Sequence, residues 1–331
     1  MTRLSEDELI ATLFAPLAGP GGLGLRDDAA VITPKPGHDL VVSKDMLIAG
    51  VHFFAADPPD AIARKALRVN LSDLAAKGAT PVGFLLGLAL PTDWTSEWLK
   101  DFARGLGVDA RDFGCPLLGG DTVRTPGPLT LSVTVFGMAP SGRMVPRTGA
   151  GPGDLLYVSG TIGDAAIGLR LRRQDRLDTP WIAVLGEAAA AYLRDRYLLP
   201  RPRLGLRAAL QAHASAAMDV SDGLAGDLGK MLALAGLTAD ISVDGVPLSE
   251  AARAALKLSP DLIETVLAGG DDYEILCAVP PMNAKAFEVS AKNAGIAVTR
   301  IGTSHPGEGA PRFTDPNGAA LALAVRSFAH F

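Results

Sequence analysis

The chain has 331 residues, 48% of them apolar and 20% charged, with a formal net charge of −5. That length suits about two domains of the usual ~100–200 residues, and the apolar share suits packed cores rather than a long disordered tract. The acidic balance without a basic run speaks against a broad nucleic-acid surface, and the apolar stretch 84–90 is too short to span a membrane.

Ser5 followed by Glu8 is a capping-box pattern that opens a helix over about 5–16. The loop GPGGLG then delivers Asp27 and Asp28 ahead of a strand-like AAVIT. Residues 39–44 read as a strand with Asp45 at or just past its end. Pro58-Pro59-Asp60 starts a helix to about Ala76, in which the recurrence of Ala63, Leu67 and Leu74 sets Asn70 and Asp73 close to one face. Strands follow at 82–90 and 129–138, with a helix over 94–113 between them.

The Gly/Pro-rich TGAGPGD at 148–154 marks the interdomain boundary, giving domains 1–147 and 148–331. Beyond it come the strand DLLYVSG, a helix from TIGDAAIGLRLRR, and a strand–turn–helix junction at MDVSDGL with its helix running to about Ala235. The strands EILCAVP and AVTRIGT, separated by the helix NAKAFEVSAKNAG, follow. Strands and helices mix in both halves, so the fold class is α/β or α+β. Cys115 and Cys277 lie in apolar frames and read as buried reduced thiols. The first residues, MTRLSEDELI, lack the pattern of a secretory signal, and the expected compartment is the cytoplasm.

The chemistry is carried by aspartates in short apolar or glycine-rich frames: Asp27-Asp28, Asp45, Asp73, Asp121, Asp219, Asp222 and Asp271-Asp272. Taken singly, each reads as a helix cap or turn former before it reads as a metal ligand, the doublets and Asp73, inside a helical pattern, being the exceptions. As a series they point to divalent metal, because a buried carboxylate takes up a proton or finds a cation. Hard oxygen donors without a His/Cys cluster favour magnesium and, through it, nucleotide phosphate. In the doublets two adjacent carboxylates repel, so a cation is expected nearby. GGD at 119–121 and SGTIGD at 159–164 are candidate anion sites, each with a plain turn or helix start as the alternative. His52, beside two phenylalanines, is either a core histidine or a ligand. No GxxxxGK[ST], HRD/DFG set, GxSxG or HExxH occurs, so an ATP site here is of another design.

The ordered set GLRDDAAV, SKDMLIAGVHF, KALRVNLSDLAAKGA, LLGGDT, SGTIGDAAIGL, MDVSDGL and GGDDYEIL resembles the thiamine-monophosphate kinase family, within the aminoimidazole-ribonucleotide-synthetase-like ATP-binding superfamily. The resemblance runs from about residue 20 to 280. It implies a two-domain fold, an N-terminal sheet that pairs with a second subunit in a homodimer, and phosphorylation of thiamine monophosphate to the diphosphate by ATP. It also implies site positions: Asp28, Ser43, Lys44, Asp45, Asp73, Asp121, Asp219 and Asp222 for magnesium; Gly120, Asp121, Arg147 and Ser221 for ATP; His52, Asp271 and Phe328 for thiamine phosphate. Lys44 stands where threonine is frequent, Asp271 where glutamate is usual, and Phe328 where a larger polar aromatic can occur. The alternatives are another ATP-dependent synthetase of the superfamily, or a non-catalytic nucleotide- or metal-binding scaffold.

Overall fold

The structure, a computed structural model, describes residues 5–328. The capping box forms: the Glu8 N–H donates to Ser5 Oγ at 3.3 Å, and the Ser5 N–H donates to Glu8 Oε2 at 2.9 Å. The segment it opens is not one regular helix. Glu6–Leu9 is α-helical, Ile10–Phe14 π-helical and Ala15–Leu17 3-10, and Pro16 has no N–H with which to continue an α-helical ladder. AAVIT is not a strand either; the Val31 N–H bonds the Gly21 carbonyl at 2.8 Å, folding the segment back on the glycine-rich loop.

The chain divides into two compact units, one of residues 1–74 and 79–144, the other of 75–78 and 145–331. In the first, strands β1 (His38–Ile48), β2 (Thr80–Leu90), β3 (Leu117–Arg124) and β4 (Thr130–Pro140) form a sheet of order β1-β4-β2-β3. β4 is antiparallel to both neighbours, whereas β3 runs parallel to β2 at the sheet edge. One face packs on the helix Pro59–Ala76, whose Leu74 lies against Gly137 of β4, and the helix Ser96–Asp112 is tied to that helix through Asp109 and Arg68. Leu67, Leu71, Phe102, Leu106, Val133 and Val135 are buried here. β1 extends four residues past its expected end, so Asp45 lies inside it, opposite Val133. Alternation then sets Ser43 and Asp45 on the helix-facing side, with Val41 and Leu47, and Lys44 on the other side. Gly120 is required in β3, because a Cβ there would come within 2.0 Å of the Leu86 carbonyl oxygen in the neighbouring strand.

The second unit holds β5 (Leu155–Ser159), β6 (Ala216–Asp219), β7 (Leu237–Ser242), β8 (Ile275–Val279), β9 (Val298–Pro306) and β10 (Arg312–Thr314), in the order β10-β7-β9-β5-β8-β6. Its central strands are apolar on both faces, as β8 with five buried residues in succession illustrates. Leu156, Val158, Ile167, Leu193, Leu228 and Leu276 share one core with the helices Asp164–Arg173, Glu187–Leu198 and Leu224–Ala233. The basic residues of Asp164–Arg173 lie in its last turn, where cations oppose the negative end of the helix dipole, and Arg170 pairs with Asp178 at 2.5 Å.

Candidate active site

In the first unit a cavity of roughly 670 Å³ opens between the glycine-rich loop and the β2–β3 edge. Asp27, Asp28, Gly119, Gly120, Asp121 and Thr122 contribute its polar wall, and Phe14, Leu25, Ile32 and Phe136 part of its apolar wall. That mixture suits a planar apolar group attached to an anion. Asp27, Asp28 and Asp121 are exposed into this space rather than buried, so the expectation of costly buried carboxylates does not hold for them. Exposed carboxylates of this kind are screened by solvent, so their mutual repulsion is small. GGD is not a terminal turn: Gly119, Gly120 and Asp121 lie in register with Leu85, Leu86 and Gly87 in the parallel ladder.

A second group stands where β1 meets the helix Pro59–Ala76. Ser43 Oγ donates to Asp73 Oδ2, and the Asp45 N–H donates to Asn70 Oδ1 at 3.0 Å. Asn70 is fully buried, and its amide nitrogen donates to the Ala66 carbonyl at 2.9 Å. The helical spacing of Asn70 and Asp73 is what lets both reach one strand. His52 is held in the turn after β1 and is only half-buried, with Nδ1 accepting from the Ile48 N–H at 3.0 Å; a neutral ring then carries its proton on Nε2. The Lys44 ammonium is on the sheet face opposite Ser43 and Asp45, so it does not join their side chains.

In the second unit one loop cluster gathers five of the predicted residues. Asp219 ends β6, nearly buried, and Ser221 and Asp222 follow in the turn to Leu224–Ala233. The Asp271 N–H donates to the Ser221 carbonyl at 2.8 Å, and the Phe328 N–H donates to the Asp222 carbonyl at 3.0 Å. Gly270 permits this approach: its φ is +75°, and a Cβ would lie 2.4 Å from the Ser221 oxygen. Asp271 and Tyr273 also have positive φ, 64° and 52°. Aspartate tolerates that left-handed backbone better than most residues, a local reason for the shorter side chain at 271. Phe328 is half-exposed, and Arg147 is exposed.

The doublet partner Asp272 points the other way. It is buried, with Oδ2 accepting the Gly163 N–H at 2.7 Å and Oδ1 the Ala165 N–H at 3.4 Å. The N–H groups at the helix start of SGTIGD are therefore taken by the chain's own Asp272 carboxyl, which removes that segment as a phosphate site. Burial pushes the Asp272 carboxyl well above its usual range, against the pull of the Gly163 N–H. Beneath it Glu274, fully buried, accepts from Arg196 Nη2 at 3.0 Å, Arg203 Nε at 2.6 Å and Ser159 Oγ at 2.6 Å. Arg196 Nη2 also donates to the Asp272 carbonyl at 3.4 Å. The cation expected beside this doublet is Arg196, which no motif in the sequence singles out.

Two further residues of the Ser221 turn are not apparent from the motifs. Asp227 accepts the Ser221 and Asp222 N–H groups at 3.0 and 2.9 Å, and Lys230 bridges Asp227 and Asp222. Their i, i+3 spacing in a helix just after MDVSDGL is the available signal. Among the described residues no three His, Cys, Asp or Glu side chains stand together as a metal site. Magnesium does not require one: it keeps waters and binds through one or two carboxylates plus substrate phosphates. The exposed oxygens of Asp28 and Asp121 around the cavity fit that donor chemistry.

Residues 26–139 match the family model "AIR synthase related protein, N-terminal domain", and 151–311 match "AIR synthase related protein, C-terminal domain". The chain is 46% identical over 310 residues to thiamine-monophosphate kinase of Caulobacter vibrioides, covering 92% of this chain and 85% of that one. It is 39% identical to the Escherichia coli enzyme of the same name over 280 residues, 85% and 83% of the two chains. Among solved structures, thiamine-monophosphate kinase from Stenotrophomonas maltophilia superposes with a TM-score of 0.79 at 39% identity, covering 90% of this chain and 91% of that one. A structure described as AaThiL complexed with AMPPCP and TMP gives 0.76 at 29% identity, covering 100% and 99%.

Proposed function

This chain belongs to the thiamine-monophosphate kinase family and uses ATP to phosphorylate thiamine monophosphate; we propose that it does so by direct in-line transfer, assisted by magnesium. A terminal phosphate oxygen of thiamine monophosphate attacks the γ-phosphorus of ATP, the new O–P bond forms, and the bond to the β-phosphate oxygen breaks to release ADP. The nucleophile is already anionic at neutral pH, so no strong general base is needed. The barrier lies in bringing two polyanions together, and electrostatic positioning lowers it.

Asp28, Asp45, Asp73, Asp121, Asp219 and Asp222 would hold magnesium, with the Ser43 hydroxyl, and Lys44 through its backbone carbonyl alone. When bound, the metal neutralises phosphate charge and fixes the in-line geometry. Gly120 and Asp121 bind ATP at the cavity wall, and Ser221 and the exposed Arg147 supply further nucleotide contacts. His52 offers Nε2–H to the substrate phosphate, Asp271 faces its organic part, and Phe328 stacks on a ring. The observation that carries this reading is the cavity in which Asp28, Gly120 and Asp121 meet an apolar wall.

Homodimerisation through the N-terminal sheet is part of the same reading. It is supported by the row Leu40, Val42 and Met46 exposed on the outer face of β1. Sedimentation of the full chain tests it, and a monomer at micromolar concentration would refute it. A cytoplasmic setting accords with two buried free cysteines; no helix of the described residues is long and apolar enough to cross a membrane.

The deciding experiment measures ADP release with thiamine monophosphate and thiamine side by side. Turnover with the monophosphate and diphosphate formation are expected. Thiamine as the better substrate, or turnover only with an aminoimidazole precursor, would overturn the assignment.

A further inference from the structure

The turn that carries Ser221 and Asp222 is held by its own helix. Asp227, buried in Leu224–Ala233, accepts the two turn N–H groups through Oδ2, and its Oδ1 receives Lys230 Nζ at 3.0 Å. The same ammonium reaches Asp222 Oδ2 at 2.5 Å. A protein cation therefore rests on a carboxylate assigned above to magnesium. The Lys230 and Asp222 side chains are 43% and 38% exposed, and a pair that open to water is held weakly enough to exchange. Asp227 does not exchange in the same way, because its other oxygen is committed to the backbone of the turn.

We propose that Lys230 is a resident counter-ion of Asp222 that competes with magnesium and so sets the metal affinity of the nucleotide-free enzyme. The proposal rests on the reading of Asp222 as a magnesium ligand. Before metal arrives, the ammonium offsets the repulsion between Asp222 and Asp227 and keeps the turn in place. A divalent ion on Asp222 must displace that ammonium from one carboxylate and tolerate it on the other. Lys230 is thus a positioning residue that weakens metal binding, in contrast to a plain structural prop, whose loss would weaken binding by loosening the turn.

The test is manganese binding to the full-length, nucleotide-free protein, followed by the EPR signal of free Mn²⁺, for wild type, Lys230→Met, Lys230→Arg and Asp222→Asn. Lys230→Met is expected to tighten binding by about two- to fivefold, the range for a half-exposed charge pair. Lys230→Arg, which keeps the cation, is expected to stay close to wild type, and Asp222→Asn to bind more weakly. If Asp222→Asn weakens binding while Lys230→Met leaves it unchanged or weakens it, Lys230 is only a prop and the proposal fails. A fall in metal-free melting temperature for Lys230→Met together with weaker binding overturns it in the same way. If Asp222→Asn binds as wild type does, the magnesium role of Asp222 is lost, and the proposal with it.

Discussion

Glu274→Gln removes one charge from the most deeply buried ionic group of the second unit and leaves its volume unchanged. Glu274 is fully buried and Arg196 is 1% exposed, so neither exchanges its partner for water. The carboxylate serves Arg196, Arg203 and Ser159 at once. Arg196 Nε and Nη1 have no hydrogen-bond partner; of the other acids nearby, Asp164 is 4.0 Å from Nε, and burial favours the protonated form of Asp272. A glutamine cannot satisfy both arginines: its NH₂ would meet a guanidinium N–H, donor against donor. Removing one partner of a buried pair costs about 3–5 kcal/mol, and the 23% exposure of Arg203 puts this case near the lower end, about 3 kcal/mol. At roughly 2–4 °C per kcal/mol, the melting temperature falls by about 6–12 °C. Scanning calorimetry and urea denaturation followed by circular dichroism measure it. A loss under about 1 kcal/mol would refute the argument, because it would mean that water or a shifted side chain compensates the arginines.

Asp45→Ala or Asp121→Ala is expected to lower magnesium-dependent turnover by about 10²-fold or more in the ADP-release assay, and unchanged turnover would sink the proposed metal set. Asp272 titrates above its ordinary value of 3.8 in the folded chain, so the folded state binds the extra proton. Stability from that group is present below about pH 3.8 and is lost as pH rises through the folded value. Wild-type stability minus that of Asp272→Asn is expected to fall across that window and then level off; a difference that grows with pH would show that the helix N–H groups outweigh burial. Burial pushes the Cys115 thiol up to about 12 and the Cys277 thiol higher still. Neither is expected to react with a disulfide reagent at pH 8 until the protein is unfolded, and rapid labelling of the native chain would contradict their burial.

Features set by near neighbours are legible in the chain. The Ser5–Glu8 capping box, the shared face of Asn70 and Asp73, and the turn at MDVSDGL each depend on spacings of a few residues, and all three appear in the structure. The order of the aspartate motifs is enough to identify the family. Other features depend on which distant segment packs where. Within GGDDYE, adjacent residues have opposite environments: Asp271 joins the Ser221 turn, while Asp272 caps a helix 109 positions earlier in the chain. Arg196 meets Glu274 across 78 positions, and Ser43 meets Asp73 across 30. Strand character likewise departs from local expectation where context decides it. GGD at 119–121 reads as an anion site or a strand-end turn, yet it continues β3 along β2 because Gly120 allows the close approach. AAVIT reads as a strand, yet the Val31 N–H is taken by the Gly21 carbonyl of the glycine-rich loop. Residue types and local spacing therefore determined the chemistry available, whereas tertiary packing decided which carboxylates face the cavity and which are buried against arginine, because burial and pairing are set by contacts between segments far apart in the chain.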